Sequence, residues 1–151
     1  MNRSTLGNGI VHEDDLNHII PTYFHLPPYE FIKGALGYMG VSYHATGLDK
    51  IDPNGRYLFA SNHPFGGMDG MMLAELISTH LGDVRFISND ILMVVEPLRP
   101  IMIPVNKHGR QSRESADAFN AAFNSDIPML TFPAGLCSRR IKGKITDLEW
   151  K

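Results

Sequence analysis

Hydrophobic and polar positions along the chain fall into short segments that predict strands alternating with helices. Apolar or alternating runs predict five strands: Val41–His44, Tyr57–Ala60, Val84–Ile87, Ile101–Val105 and Ile127–Phe132. Apolar residues at helical spacing predict three helices between them: Asp69–Leu81, Asp90–Leu98 and Ser112–Phe123. A last strand or hairpin is predicted within Ile141–Trp150. The pattern predicts an α/β fold with a mixed, largely parallel sheet flanked by helices.

The helix predicted at Ser112–Phe123 carries two specific expectations. Ser112 is suited to be its N-cap, because a serine hydroxyl accepts a hydrogen bond from a free N–H of the first turn. The spacing predicts four core-facing residues: Ala116, Phe119, Ala122 and Phe123.

The first forty residues are predicted to form an N-terminal arm and an amphipathic helix. The first twenty residues are polar and weakly patterned, which predicts an extended arm or a short helix. After Pro27-Pro28, apolar residues recur at helical spacing through Met39. This helix either packs on the core or lies on a membrane surface, and only Lys33 gives it basic charge for the second role.

Composition narrows the class of protein. The chain has 151 residues, of which 43% are hydrophobic and 20% charged, as in a single globular domain rather than a disordered segment. No apolar run reaches the roughly 20 residues of a membrane-spanning helix. The N-terminus lacks the apolar stretch of a secretory signal, and the single cysteine, Cys137, suits a reducing compartment. We therefore expect a cytoplasmic protein.

The net charge of −2 hides an asymmetry. Acidic residues dominate up to residue 98, whereas residues 99–151 contain more Lys and Arg than Asp and Glu. A basic C-terminal third favours an anionic partner, although solvated charges distributed by chance would look the same. Nucleic acid is not the expected partner, because aromatic residues do not interleave with the basic ones.

The loop after the strand Tyr57–Ala60 is rich in residues that perform chemistry. It reads Ser-Asn-His-Pro-Phe-Gly-Gly-Met-Asp-Gly over residues 61–70. His63 can act as a general base, and a carboxylate such as Asp69 can fix its tautomer. Gly66 and Gly67 let the backbone turn so that Asp69 returns to His63. The alternative is an ordinary loop histidine beside a helix-capping aspartate.

Two later loops also follow predicted strands. The loop beyond Val105 places Lys107, His108 and Arg110 where they can hold an anionic group, or where they are simply solvated. The loop beyond Thr131 reads Phe-Pro-Ala-Gly-Leu-Cys-Ser-Arg-Arg over residues 132–140. In it, Arg139 and Arg140 can bind a carboxylate or phosphate and Ser138 can donate a hydrogen bond.

Three ordered blocks resemble the glycerolipid acyltransferase (PlsC-like) superfamily. They are Asn62-His63-Pro64 with Asp69, Ile103-Pro104-Val105-Asn106-Lys107, and Phe132-Pro133-Ala134-Gly135. The His-Pro-Phe-Gly-Gly-Met-Asp-Gly and Phe-Pro-Ala-Gly…Ser-Arg forms are similar to a bacterial branch of hemolysin-labelled proteins that includes ornithine- and glycine-lipid acyltransferases. The resemblance runs from about Tyr38 to Trp150. We therefore expect residues 41–151 to be an acyltransferase domain, incomplete at its C-terminus because members of this branch run longer. Together with residues 1–40 it would form one structural domain.

The resemblance implies a reaction and its participants. An acyl thioester on acyl carrier protein or coenzyme A would donate a fatty acyl group to a lyso-lipid, with no bound cofactor or metal, on the inner face of the plasma membrane as a peripheral protein. His63 would be the base and Asp69 would orient it. The expected substrate-binding residues are Asn62, Gly66, Gly67, Lys107, Arg110, Phe132, Pro133, Gly135, Ser138 and Arg139.

The chain departs from the superfamily pattern in two places. Five residues rather than four separate His63 from Asp69, as in the narrower branch. In the third block, Ala134 and Cys137 stand where the superfamily commonly has Glu and an Arg that belongs to the glycerol-phosphate site. Either Arg139 replaces that Arg, or the acceptor carries a carboxylate, as a lyso-aminolipid would.

Other functions use the same residues. A thioesterase would use the His63/Asp69 pair to activate water. Cys137 could serve as an acylated nucleophile activated by His63, or His63, Asp69 and His108 could bind a metal. A non-catalytic interaction protein on the same scaffold is a further alternative.

Overall fold

Four short parallel strands form the sheet of the molecule. The computed structural model describes residues 13–106 and 112–150. The strands are β1 (Leu58–Ala60), β2 (Arg85–Asn89), β3 (Met102–Val105) and β4 (Met129–Thr131), in the spatial order β1-β4-β2-β3. A separate antiparallel hairpin consists of β5 (Arg139–Ile141) and β6 (Lys144–Thr146).

Within the described residues, four α-helices accompany the sheet: α1 (Glu13–Tyr23), α2 (Pro28–Tyr38), α3 (Gly67–Leu81) and α4 (Arg113–Phe123). Three 3₁₀ helices lie at Leu48–Lys50, Asp90–Val94 and Glu96–Ile101. In the parts of the chain that the structure describes, no helix combines the length and apolarity needed to span a membrane.

The sheet has an apolar cluster on each face, because successive side chains of a strand point to opposite sides. Phe86, Met102 and Leu130 point to the side covered by α1, α2 and α3, whereas Ile87, Ile103 and Met129 point to the side covered by α4. Helix α2 buries the face predicted from its spacing, contributed by Phe31, Ile32, Ala35 and Leu36. This helix therefore packs on the core.

The predicted fold class is confirmed: the structure is α/β, with a parallel sheet flanked by helices. The strand predicted at Val41–His44 is wrong, because this segment lies beside α3 and pairs with no strand in the part of the chain that the structure describes. The helix predicted at Asp90–Leu98 consists of two 3₁₀ segments. The predicted hairpin is present, although it begins earlier, at Arg139.

The N-cap predicted for helix α4 is confirmed, whereas two of its four predicted core-facing residues are exposed. The Ser112 hydroxyl accepts a hydrogen bond from the Ser115 N–H at 3.0 Å, as expected for an N-cap. Ala122 is buried and Phe119 is half-buried, but Ala116 and Phe123 are exposed. The helix packs mainly against β3, so its apolar stripe is narrower than predicted.

Parallel strands bring the loops at their carboxyl ends to one edge of the sheet. Pairing between β1 and β4 continues past the strands, where the Ser61 N–H donates to the Thr131 carbonyl at 3.2 Å. The loops that leave these two strands therefore start side by side. The loop after β3 includes residues 107–111, which lie outside the described part of the chain.

Candidate active site

The histidine and the aspartate of the first loop lie against each other. His63 Nδ1 is 3.1 Å from Asp69 Oδ2, and only 17% and 8% of the two side chains are exposed. Asp69 lies in the first turn of α3, and its N–H donates to the Gly66 carbonyl at 3.0 Å. Gly66 has φ +67° and ψ −132°, a conformation that a residue with a Cβ rarely adopts. The glycine thus allows the reversal that returns Asp69 to His63.

The carboxylate of Asp69 is shared between the ring and the backbone. Its Oδ2 also accepts the Phe65 N–H at 2.7 Å. Although His63 Nδ1 is close to this oxygen, their alignment is not that of a hydrogen bond, and within the described residues Nδ1 has no other hydrogen-bond partner. Catalytic hydrogen bonds are often poorly aligned without substrate and tighten when it binds. With Nδ1 turned toward Asp69, Nε2 is the ring nitrogen left for a reactant.

The loop after β4 holds the other side of His63. The Phe132 ring stacks on the imidazole, with ring centroids 4.1 Å apart. Phe132 in turn meets Phe86 edge to face at 5.6 Å, which connects the site to the core. The Ser138 N–H donates to the His63 carbonyl at 2.8 Å. Side chain and backbone of the histidine are therefore both fixed by the third sequence block.

Two predicted binding residues, Asn62 and Ser138, take part in an intramolecular network. Asn62 Nδ2 donates to Asp147 Oδ2 at 2.7 Å, and the Ser138 hydroxyl donates to Asp147 Oδ1 at 2.6 Å. The Trp150 indole N–H donates to Asn62 Oδ1 at 2.9 Å. Sequence reasoning missed Asp147 and Trp150. They lie more than eighty residues from Asn62, and no local spacing links them to it.

Of the remaining positions, Gly135 forms a turn, whereas the turn-making role predicted for Gly67 is wrong, because this residue is helical and has no positive φ. Gly67 is the first residue of α3, and a Cβ there would meet nothing within 4 Å. Gly135 has φ +65°, and its N–H donates to the Phe132 carbonyl at 2.8 Å in a tight turn. Pro133, in the same turn, is half-buried.

Of the three predicted cationic binding residues, the structure describes only Arg139. Arg139 is exposed at the start of β5, directly after Ser138. Lys107 and Arg110, together with His108, lie outside the described residues, so their predicted role stays a prediction.

Cys137 is exposed and close to the first loop. A Cβ built on Gly66 would lie 3.4 Å from its Sγ. Across residues 13–106 and 112–150, no three or more His, Cys, Asp or Glu side chains come together as a metal-binding group.

An apolar cavity of about 500 Å³ opens beside the dyad. It starts at Asn62, Pro64 and Asp69 and follows α3 to His80 and Leu81. At a rise of 1.5 Å per residue, this stretch of helix is about 18 Å long. Its walls are mainly aliphatic side chains of α3 and the coil at residues 43–51. Size and lining are those of a site for a small, largely apolar ligand.

A hydrogen bond ties the coil at residues 43–51 to α3 beside this cavity. The Tyr43 hydroxyl donates to Glu75 Oε2 at 2.9 Å. Burial, together with this hydrogen bond to Glu75, raises the pKa of Tyr43 to about 12. The tyrosine therefore stays a neutral donor at physiological pH.

Comparison with known proteins matches the chain to acyltransferases. A sequence model of the family described as acyltransferase matches residues 5–151. A lyso-glycine lipid O-acyltransferase of Phocaeicola vulgatus is 41% identical over 143 residues, which are 94% of this chain and 51% of that protein. A second, from Bacteroides thetaiotaomicron, is 38% identical over 143 residues, 94% of this chain and 53% of that protein. The chain thus spans about half the length of these relatives. No solved structure matches it significantly.

Proposed function

Because the chain belongs to the acyltransferase family, we propose that it transfers a fatty acyl group from an acyl thioester to the hydroxyl of a lyso-lipid. The observation that carries the proposal is the His63–Asp69 pair, whose aspartate lines one end of an apolar cavity. A base beside a reacting hydroxyl and an apolar space for a hydrocarbon chain are two of the elements that this reaction requires.

In the proposed reaction, His63 is the general base. Its Nε2 accepts the proton of the acceptor hydroxyl while the oxygen attacks the thioester carbonyl carbon. A C–O bond forms and the carbonyl electrons move to oxygen, giving a tetrahedral oxyanion. Asp69, 3.1 Å from Nδ1, stabilises the imidazolium. General-base assistance contributes roughly 10²–10⁴-fold.

The second half of the reaction returns the proton. The oxyanion collapses, the C–S bond breaks, and the departing thiolate takes the proton from the imidazolium of His63. Negative charge on the oxyanion needs nearby donors. Helix α3 begins at Gly67, directly after the loop that carries His63, and in the described part of the chain no side chain caps its first turn. A helix N-terminus favours an anion. We assign the oxyanion to this end of α3.

The cavity along α3 is proposed to hold the acyl chain of the donor. Its aliphatic walls start beside Asp69, so a chain lying in it would place the thioester carbonyl near His63. The proposed donor is acyl-ACP or acyl-CoA. Lys107 and Arg110 are proposed to hold the anionic part of that carrier.

The proposed acceptor is a lyso-glycine lipid, the substrate named for both curated relatives. Its headgroup is an amino acid rather than a phosphate. This choice agrees with Ala134 and Cys137. They occupy positions where the superfamily that the chain resembles commonly has Glu and an Arg of the glycerol-phosphate site. Arg139 is the proposed partner of the acceptor carboxylate. Since the acceptor is a membrane lipid, we propose that the protein works on the inner face of the plasma membrane as a peripheral protein.

Mass spectrometry of reaction products tests this proposal. The protein is incubated with acyl-CoA or acyl-ACP and with lyso-glycine lipid, lyso-ornithine lipid or lysophosphatidate. We expect acylated lyso-glycine lipid as the main product. Free fatty acid without acylated acceptor would instead identify a thioesterase, and no acyl turnover with any pair would contradict both enzymatic functions.

Substitution of the base separates catalysis from folding. His63→Ala should abolish acyl transfer with an unchanged circular dichroism spectrum, whereas His25→Ala, at an exposed histidine before α2, should retain it. Wild-type turnover in His63→Ala would refute the base assignment.

Arg139 is tested against its neighbour in β5. Arg139→Ala should raise the KM for the acceptor more than it lowers kcat, and Arg140→Ala should change KM less, because successive residues of a strand face opposite sides. A loss of kcat at saturating acceptor with unchanged KM would contradict a binding role.

A further inference from the structure

A single carboxylate connects the two loops that surround His63. Asp147, the first residue after β6, accepts the Asn62 amide with one oxygen and the Ser138 hydroxyl with the other. Trp150 donates to the oxygen of the same Asn62 amide. These four residues are called the Asp147 cluster below. Both ends of the Asn62 side chain are engaged within it, so its amide has one defined orientation.

The two partners of Asp147 are also the backbone neighbours of the base. Asn62 directly precedes His63 in the chain. Ser138 donates its N–H to the His63 carbonyl at 2.8 Å. Asn62 therefore fixes the peptide unit before His63, and Ser138 fixes the peptide unit after it. Asp69 and Phe132 contact only the ring of His63.

We propose that Asp147 is a positioning residue for His63, acting through Asn62 and Ser138. The inference rests on the function proposed above, because it assigns Asp147 a part in placing the base for acyl transfer. The role depends on hydrogen bonding and not on the negative charge. An asparagine at this position keeps an oxygen that accepts a hydrogen bond from the Asn62 amide. Its NH₂ group can donate a hydrogen bond to the Ser138 hydroxyl oxygen.

The exposure of the cluster separates this role from a role in stability. Asp147 and Asn62 are exposed, and exposed polar pairs contribute little to global folding. A misplacement of a catalytic group by an ångström, in contrast, costs roughly a hundredfold in rate. Loss of the cluster should therefore lower kcat without changing the unfolding temperature by more than a few degrees.

Three variants distinguish the possibilities. Asp147→Leu keeps the approximate shape of the side chain and removes both acceptors, whereas Asp147→Asn keeps the hydrogen bonds. Glu149→Leu is the control, since it places the same apolar residue two positions away at another exposed site.

Two of the readouts need no catalytic turnover. Because the His63 ring stacks on Phe132, its proton resonances are displaced by the ring current and report the position of the imidazole. Trp150 is the single tryptophan, so its fluorescence reports whether the hydrogen bond to Asn62 persists. The kinetic readouts are kcat and the KM for the acceptor.

For Asp147→Leu we expect kcat to fall roughly 10- to 100-fold. The acceptor KM should stay nearly unchanged, with altered His63 resonances and altered Trp150 fluorescence. Asp147→Asn and Glu149→Leu should resemble the wild type in all four readouts. If Asp147→Leu does not fold, Trp150→Phe, which loses one hydrogen bond, should move the His63 resonances by a smaller amount.

Three results would overturn the inference. The first is unchanged kcat and His63 resonances in Asp147→Leu. The second is a change confined to KM, which would make Asp147 a substrate contact. The third is an Asp147→Asn variant as impaired as Asp147→Leu. If the wild type itself transfers no acyl group, the proposed function fails, and the resonances still decide whether Asp147 positions His63.

Discussion

Adding one methyl group at Gly70 tests how tightly the core is connected to the site. Gly70 is buried in α3, and a Cβ there would lie 2.8 and 3.0 Å from two atoms of the Phe86 ring. These distances are shorter than carbon atoms tolerate, so the ring must shift. Phe86 is only 9% exposed and packs edge to face on Phe132, which stacks on His63. A methyl group at Gly70 therefore displaces a chain of rings that ends at the base.

The magnitude follows from two opposing terms. Alanine stabilises a helix interior by about 1 kcal/mol relative to glycine. Overpacking a close-packed core costs about 1–3 kcal/mol. Gly37, in α2, is the matched control, because a Cβ there meets nothing within 4 Å and only the first term applies. Gly70→Ala should thus be less stable than Gly37→Ala by about 1–3 kcal/mol, since the helix term largely cancels.

Urea and thermal unfolding of the two variants measure this difference. For a domain of this size, each kcal/mol changes Tm by roughly 2–4 °C. We also expect Gly70→Ala to lower kcat for acyl transfer, whereas Gly37→Ala should not. A Gly70→Ala protein as stable as Gly37→Ala would refute the argument, because it would show that the Phe86 ring has room to move.

Three further predictions concern the N-cap of α4, the pH dependence of stability and the length of the acyl chain that the donor carries. Ser112→Ala should destabilise the protein by about 1 kcal/mol in urea unfolding through loss of the α4 cap, and an unchanged midpoint would contradict the capping role. Burial and a hydrogen bond to Asp83 raise the pKa of Tyr29 above its usual 10.0, so its contribution to stability is complete below pH 10 and declines as the pH rises toward the folded-state pKa. Tyr29→Phe should therefore reduce the alkaline loss of stability without abolishing it, because Tyr43 contributes similarly; an identical pH profile would exclude Tyr29 as a source. Leu76→Trp should fill the cavity and shift donor preference to shorter acyl chains in a competition assay, and an unchanged preference would place the acyl chain elsewhere.

Local sequence patterns predicted most helices and strands. The wrong predictions fall mainly where contacts between residues far apart in the chain decide the structure. Helix α3, strand β3 and the Ser112 cap follow from spacings within a dozen residues, so they could be predicted. The apolar alternation at Val41–His44 also suggested a strand, but a strand requires a neighbour. Here Tyr43 bonds to Glu75 of α3 instead. Phe123 was expected in the core, yet its ring lies at the surface under the Arg56 guanidinium, 5.4 Å from the ring centroid.

In the candidate site too, features set by local spacing could be predicted and features set by non-local contacts could not. His63 and Asp69 could be paired from sequence because a glycine between them permits the turn. The stack of Phe132 on His63 depends on β1 and β4 being neighbours, which no spacing within either loop reveals. Asp147 is more remote still, since its pairing with Asn62 requires the hairpin to fold back over the first loop.

The position of β1 in the sheet has a consequence for the order of folding. Leu58 pairs with Met129, so nearly half of the chain lies between two three-residue strands that must meet. Contacts between distant residues form late and limit folding rates, because loop closure costs entropy before the contact compensates for it. Strand β1 is also an edge strand, and 60% of Leu58 is exposed. We expect its amides to exchange hydrogen faster than those of β2. Molecules in which β1 detaches would keep the core between α2, α3 and β2 but separate His63 from Phe132, so this site is completed last and lost first.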